Sequence, residues 1–248
     1  MKEIGEELIV FTVLTRSHAL LCTLLLFNCL SARAADLTEL EQKWLTAAWP
    51  VVVYARAIKL PLDIIVQPDT KANDVPLALG YDGGRCKLVL SLRNNPQAEA
   101  SLAGTDPSQH RLLIETMAAH EIGHCWRYAQ GKWHSLPSGF NEARDRSAAG
   151  LNKDKLPSLL ALQEARREEA FADLFGLAWT YQYHPAQYQQ VYAWLQSQRS
   201  DTAAIGISHD TMAWVQLARD ARRFEPGVNP FEQALGLWGQ GLLGEVSR

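Results

Sequence analysis

The stretch MAAHEIGHCW, residues 117–126, holds two histidines four positions apart with a glutamate directly after the first. Four residues are slightly more than one helical turn, so on a helix both imidazoles leave from one face. Neutral imidazoles at that spacing can share one divalent metal ion. Glu121 sits about a hundred degrees around the helix, placed to reach a water on such an ion but poorly placed to ligate it. His120, Glu121 and His124 are therefore a candidate centre, provided that they stand on a helix and that the chain supplies a further ligand.

Both conditions find support in the sequence. Residues 104–131, GTDPSQHRLLIETMAAHEIGHCWRYAQG, carry the marks of a bounded helix: Thr105 or Asp106 as a cap, Pro107 in the first turn and Gly131 at the end. The neighbours of the motif, Ala118, Ala119, Ile122, Gly123, Cys125 and Trp126, are uncharged, as expected for a helix buried on several sides, where His and Glu without partners are costly. A second helical pattern runs from Pro157 to about Tyr183 and contains RREEAFADLFG, residues 166–176. Glu169 and Asp173 share a face there with Ala165, Ala172 and Gly176, small residues that permit close approach of another helix. This face gives Glu169 to the metal and leaves Asp173 to accept the second N–H of a ligand histidine, His120, fixing its tautomer. Glu164 and Glu168 are expected on a solvated acidic face balanced by Arg166 and Arg167.

The rest of the chain sets bounds. With 248 residues, 47% hydrophobic and 21% charged, it has an ordinary globular composition, long enough for one domain with a sizeable core. A net charge of −3 without a basic stripe argues against a nucleic-acid partner. A helix is expected from Leu37 to about Ala57, opened by a Thr38–Glu41 capping box and kinked or split at Pro50. LDIIVQP and CKLVLSL read as strands, with a turn at Asp82-Gly83-Gly84 between them. CKLVLSLRN, just before the motif helix, is the candidate edge strand for a bound peptide. Residues 131–156 read as a long loop, and helices are expected near 186–199 and 209–223, then a short helix and a loose end from Asn229. The fold class is α+β and mostly helical, with a small sheet packed on the motif helix.

HEIGH on one helix and EAFAD on a later one resemble the zinc metallopeptidases of the gluzincin group, and most nearly peptidase family M48, whose glutamate motif often reads E-x-x-A-D. The resemblance is at the level of motifs. It implies a zincin-like fold, zinc bound by His120, His124 and Glu169, Glu121 as general base, Asp173 behind a ligand histidine, and a peptide or protein substrate. A donor for the developing oxyanion is usual in such sites. M48 peptidases commonly carry a late His-Pro for this role. His209 stands at the better distance but is followed by Asp210, whereas His184 has its proline yet lies close behind Asp173; His209 is favoured over Tyr181 and His184. The rival from another class is a non-catalytic zinc-binding module or chaperone on a degenerate peptidase fold, against which an intact Glu121 speaks.

The N-terminus reads as an export signal spanning residues 1–34, leaving a single domain over 35–248. Arg16 and His18 precede an apolar run from Ala19 to Leu30, and Ala32-Arg33-Ala34 supplies a cleavage site. Glu3, Glu6 and Glu7 fit this poorly, as an upstream-extended start would explain. An N-terminal membrane anchor over Leu8–Leu30 is the alternative, although Arg16, His18 and Asn28 interrupt it. Cleavage implies a periplasmic or secreted protein with no stable span, and an oxidising compartment makes Cys86 and Cys125 a candidate disulfide. Protein recovered from a secreting host should begin at Ala35, read by N-terminal sequencing; intact N-termini in the membrane fraction would favour the anchor.

Overall fold

The computed structural model describes residues 36–71, 74–138, 140, 156–200 and 207–246; the expected signal segment and most of the expected 131–156 loop lie outside them. Helix α1 spans Glu39–Ala57. Thr38 Oγ1 accepts the Glu41 N–H at 3.2 Å, and the Glu41 carboxylate accepts the Thr38 N–H at 2.7 Å, the expected capping box. Pro50 does not divide this helix. Trp44, Ala47, Ala48, Val51, Val52 and Ala55 are buried on both sides of it, so packing holds the two halves in one element.

Strands β1 (Leu62–Val66), β2 (Leu77–Asp82) and β3 (Arg85–Leu90) form a sheet in the order β1-β3-β2, with β1 parallel and β2 antiparallel to β3. Two expectations are corrected here. CKLVLSLRN supplies the central strand rather than an edge, and the edge beside the motif helix is β2, a strand additional to the two expected. LALGYD contains a glycine and no β-branched residue, so its strand propensity is weak; it is held by its hairpin with β3. Gly83 and Gly84, at φ +57° and +75°, make the two-residue turn that such a hairpin needs.

After the short helix α2 (Gln97–Ala100), Asp106 accepts the Ser108 N–H at 2.8 Å and starts a 3-10 turn, Pro107–Gln109, that runs into helix α3 (His110–Ala129). Gly131, at φ +62°, follows its end. Helix α4 (Leu156–Tyr183) crosses α3 at very close range. A side chain at Gly123 would lie 3.1 Å from Ala172 Cα, and one at Gly176 would lie 3.4 Å from Thr116 Cγ2. The small residues on α4 do what their spacing suggested: they let two backbones meet. Cys86 on β3 is bridged to Cys125 on α3, tying the sheet to the motif helix just past His124. Closing a loop of this length is worth about 4 kcal/mol in the chain-entropy account.

Helix α5 (Tyr188–Ser200) follows a 3-10 turn at Pro185–Gln187. The helix expected over 209–223 is instead a 3-10 turn at Ile207–His209, a short α6 (Met212–Leu217) and another turn at Ala221–Arg223. The short helix and loose end expected from Asn229 are one long helix, α7 (Pro230–Val246), with Phe231, Ala234, Leu237, Trp238 and Leu242 buried along one face. Its glycines masked that stripe. At Gly241 the absence of a side chain has a use, because a Cβ there would run into the Trp214 indole. The described residues thus form an α+β, mostly helical fold, compact from Thr38 onward, and none of their helices is long and apolar enough to cross a membrane.

One carboxylate was misplaced by the sequence reading. Glu168 is buried, not solvated, and grips Arg127 with two hydrogen bonds of 2.7 and 3.0 Å while accepting the His134 N–H at 2.8 Å. Arg127 is itself buried, with its guanidinium 4.5 Å from the Trp238 ring centroid. Arg166 and Arg167, close in sequence, hid a partner far along the chain. Glu168→Ala would strand a buried guanidinium, so it should cost about 3–5 kcal/mol in urea unfolding, whereas Glu164→Ala, at a more exposed position, should stay within about 0.5 kcal/mol.

Candidate metal centre

The α3–α4 crossing sets Glu169 opposite the two motif histidines. His120 Nε2 and His124 Nε2 lie 3.1 Å apart. Glu169 Oε2 is 3.3 Å from His120 Nε2, and Glu169 Oε1 is 3.4 Å from His124 Nε2. A tetrahedral ion with bonds of about 2.0–2.1 Å has ligand–ligand edges of about 3.3 Å, the separations found here. The three side chains could hold a metal ion.

Their chemistry makes the same point. Asp173 Oδ1 is 2.9 Å from His120 Nδ1, so the carboxylate takes that N–H and the Nε2 lone pair turns inward. There it faces another imidazole nitrogen and a carboxylate oxygen. Lone pairs converging on one point in a half-buried site could share one cation. Glu169 Oε2 is buried without a hydrogen-bond partner. Burial works against ionising His120, yet the Asp173 hydrogen bond and the negative charge of Asp173 and Glu169 push its pKa up to about 10. Burial likewise opposes ionisation of Glu169, but the two imidazoles hold it well below the usual carboxylate range. The cage is built for positive charge.

Asp173 is the most heavily used acceptor in the site. Besides His120 it takes Arg199 Nε at 2.8 Å, Arg199 Nη2 at 2.7 Å and Thr211 Oγ1 at 2.5 Å. Despite burial, Arg199 and His120 keep this carboxyl well below its ordinary range. Sequence reasoning missed Arg199 and Thr211. The available signals were thin: Arg199 is the one basic residue of α5, and a buried Asp173 has more lone pairs than one histidine can fill.

Glu121 stands beside the ligand set without belonging to it. Burial raises its pKa and Glu169 adds to this, while His120 and His124 pull the other way, leaving a net upward shift. The motif helix packs against β2. The Ser91 N–H bonds the Pro76 carbonyl at 2.9 Å, so residues 76, 78 and 80 face β3 and Leu77, Leu79 and Tyr81 turn their backbone groups outward. Among the described residues no strand pairs with that outer side.

The structure brings His209 to the centre, with Nε2 3.3 Å from Glu169 Oε2 and Nδ1 3.1 Å from Ser208 Oγ. Burial lowers its pKa, favouring the neutral ring. The two alternatives are employed elsewhere: His184 Nε2 lies 2.8 Å from the buried Glu115, and Tyr181 packs on Tyr188 and Phe224. His124 meets the ring of Trp133 edge-on at 5.5 Å.

Comparison with protein-family models, curated proteins and solved structures finds no match to this chain. The class that fold and site define is an α+β protein with a candidate three-ligand metal centre. Alanine at His120, His124 or Glu169 should each abolish stoichiometric metal, measured by elemental analysis after dialysis. Asp173→Asn should weaken affinity about 10- to 100-fold while retaining binding.

Proposed function

We propose that this chain is an exported zinc-dependent endopeptidase of the gluzincin type, most like peptidase family M48. Two imidazoles and one carboxylate at tetrahedral separations suit zinc and leave a fourth position for water. The observation that carries the reading is the placement of Glu121: a half-buried carboxylate beside the ligand set but outside it, on the helix that packs against the edge strand β2. A protein that only stored or sensed metal would have no use for that arrangement.

When bound, zinc would lower the pKa of a coordinated water and polarise the scissile carbonyl. Glu121 accepts the water proton at its carboxylate and returns it to the leaving amine. His209, beside Glu169, donates an N–H to the oxygen on which negative charge develops. The outward backbone groups of Leu77 and Tyr81 take an extended peptide by strand addition. Arg199 and Thr211 hold Asp173, and Asp173 holds the His120 ring. The Cys86–Cys125 disulfide supports export, since such bridges persist in oxidising compartments.

Glu121→Gln keeps the side-chain shape and removes the base. Hydrolysis of a peptide library should fall about 10²- to 10⁴-fold while zinc content and fold stay unchanged. Equal turnover by wild type and variant, or none by either with zinc bound, would overturn the peptidase reading.

A further inference from the structure

The two histidines of the centre are held from behind in different ways. His120 has Asp173 Oδ1 at 2.9 Å from its Nδ1. His124 has no such acceptor: among the described residues its Nδ1 is buried without a hydrogen-bond partner. A metal-bound imidazole ordinarily donates that N–H to a carboxylate, a carbonyl or water, and the bond fixes the ring. What His124 has instead is the indole of Trp133, with ring centroids 5.5 Å apart and planes at 70°. Edge-to-face contact of this kind is a favoured arrangement of π-systems.

Trp133 is itself fixed. Its ring stacks on Tyr128 at 3.8 Å, and Tyr128 stacks on Tyr81 of β2 at 4.8 Å, so three nearly parallel rings join the edge strand to the centre. The backbone on both sides of Trp133 is anchored as well. The Lys132 N–H bonds the Arg127 carbonyl at 2.9 Å, the His134 N–H bonds Glu168 at 2.8 Å, and the Ser135 carbonyl accepts Arg127 Nη2 at 2.8 Å. Between those anchors His134 sits at φ +58°, a conformation that a non-glycine residue keeps where its surroundings impose it. The buried Glu168–Arg127 pair thus sets the place of the indole. We propose that Trp133 is a positioning residue for His124, taking by ring contact the part that Asp173 takes behind His120 by hydrogen bonding. An imidazole already confined loses less freedom when the ion binds. The inference concerns metal binding and does not depend on what the centre catalyses.

An aromatic contact contributes about 2- to 10-fold, and loss of the group behind a ligand histidine costs about 10- to 100-fold. Trp133→Leu should therefore weaken zinc binding about tenfold, where the two ranges meet. The test measures affinities of the full chain for zinc and for cobalt(II) by competition with a chromophoric chelator. It adds the visible spectrum of the cobalt(II)-loaded protein and urea unfolding of the metal-free protein. Trp133→Phe loses bulk but keeps a ring, so it should bind zinc within about threefold of wild type and keep the cobalt spectrum. Trp133→Leu should shift the cobalt bands, because the His124 ring changes its angle to the ion. Tyr128→Leu leaves the indole in place but unsupported, and should weaken zinc binding by less than Trp133→Leu; it carries the test alone if Trp133→Leu does not fold. Equal weakening in the Phe and Leu variants would overturn the proposal, since bulk and not the ring would then matter. So would an unchanged cobalt spectrum in Trp133→Leu, affinity losses that merely follow the stability of the metal-free protein, or wild-type affinity in Tyr128→Leu.

Discussion

The centre depends on how closely two helices approach. Gly123 of α3 meets Ala172 of α4, and Gly176 of α4 meets Thr116 of α3, at separations where a larger side chain would push the backbones apart. Glu169 and Asp173 bracket Ala172 on α4, and His120 and His124 bracket Gly123 on α3. The small residues thus set the distance at which a carboxylate on one helix reaches imidazoles on the other. Moving the helices apart by the width of one methyl group would open the 3.1–3.4 Å triangle of ligand atoms and leave three polar side chains without a common partner.

Around that crossing, charge is arranged in depth. Glu169 faces the histidines directly, and Asp173, one turn on, faces the back of His120. A buried carboxylate with only one neutral partner would be costly; Arg199 and Thr211 complete its hydrogen bonding from α5 and from the segment before α6. The same rule operates a short distance away, where Glu168 and Arg127 satisfy each other beneath Trp238. Adjacent glutamates on one helix therefore serve different ends, because successive positions point about a hundred degrees apart.

What could be read from the sequence follows from range. His120, Glu121, His124, Glu169 and Asp173 were legible because helical spacing fixes their faces, and the long helices that bear them announce their own caps and breaks. The capping box of α1 and the hairpin glycines were legible for the same local reasons. Strand β2 was not, since Gly80 and Ala78 give no strand preference and the hairpin itself supplies the stability. The full length of helix α7 was hidden by its glycines, of which Gly241 has its use in contact with Trp214, a residue on another element. Arg199, Thr211 and the Glu168–Arg127 pair are contacts between distant parts of the chain, and no local pattern encodes them.

The claim on which the rest turns is that three side chains, and not their neighbours, hold one zinc ion. Anomalous diffraction at the zinc edge from crystals of the zinc-loaded protein tests it most directly. The account predicts one peak within about 2.0–2.2 Å of His120 Nε2, His124 Nε2 and a Glu169 carboxylate oxygen, with Glu121 and Asp173 outside bonding distance. A peak ligated by Glu121 or Glu168, or no peak between α3 and α4 in protein that carries stoichiometric zinc, would contradict it.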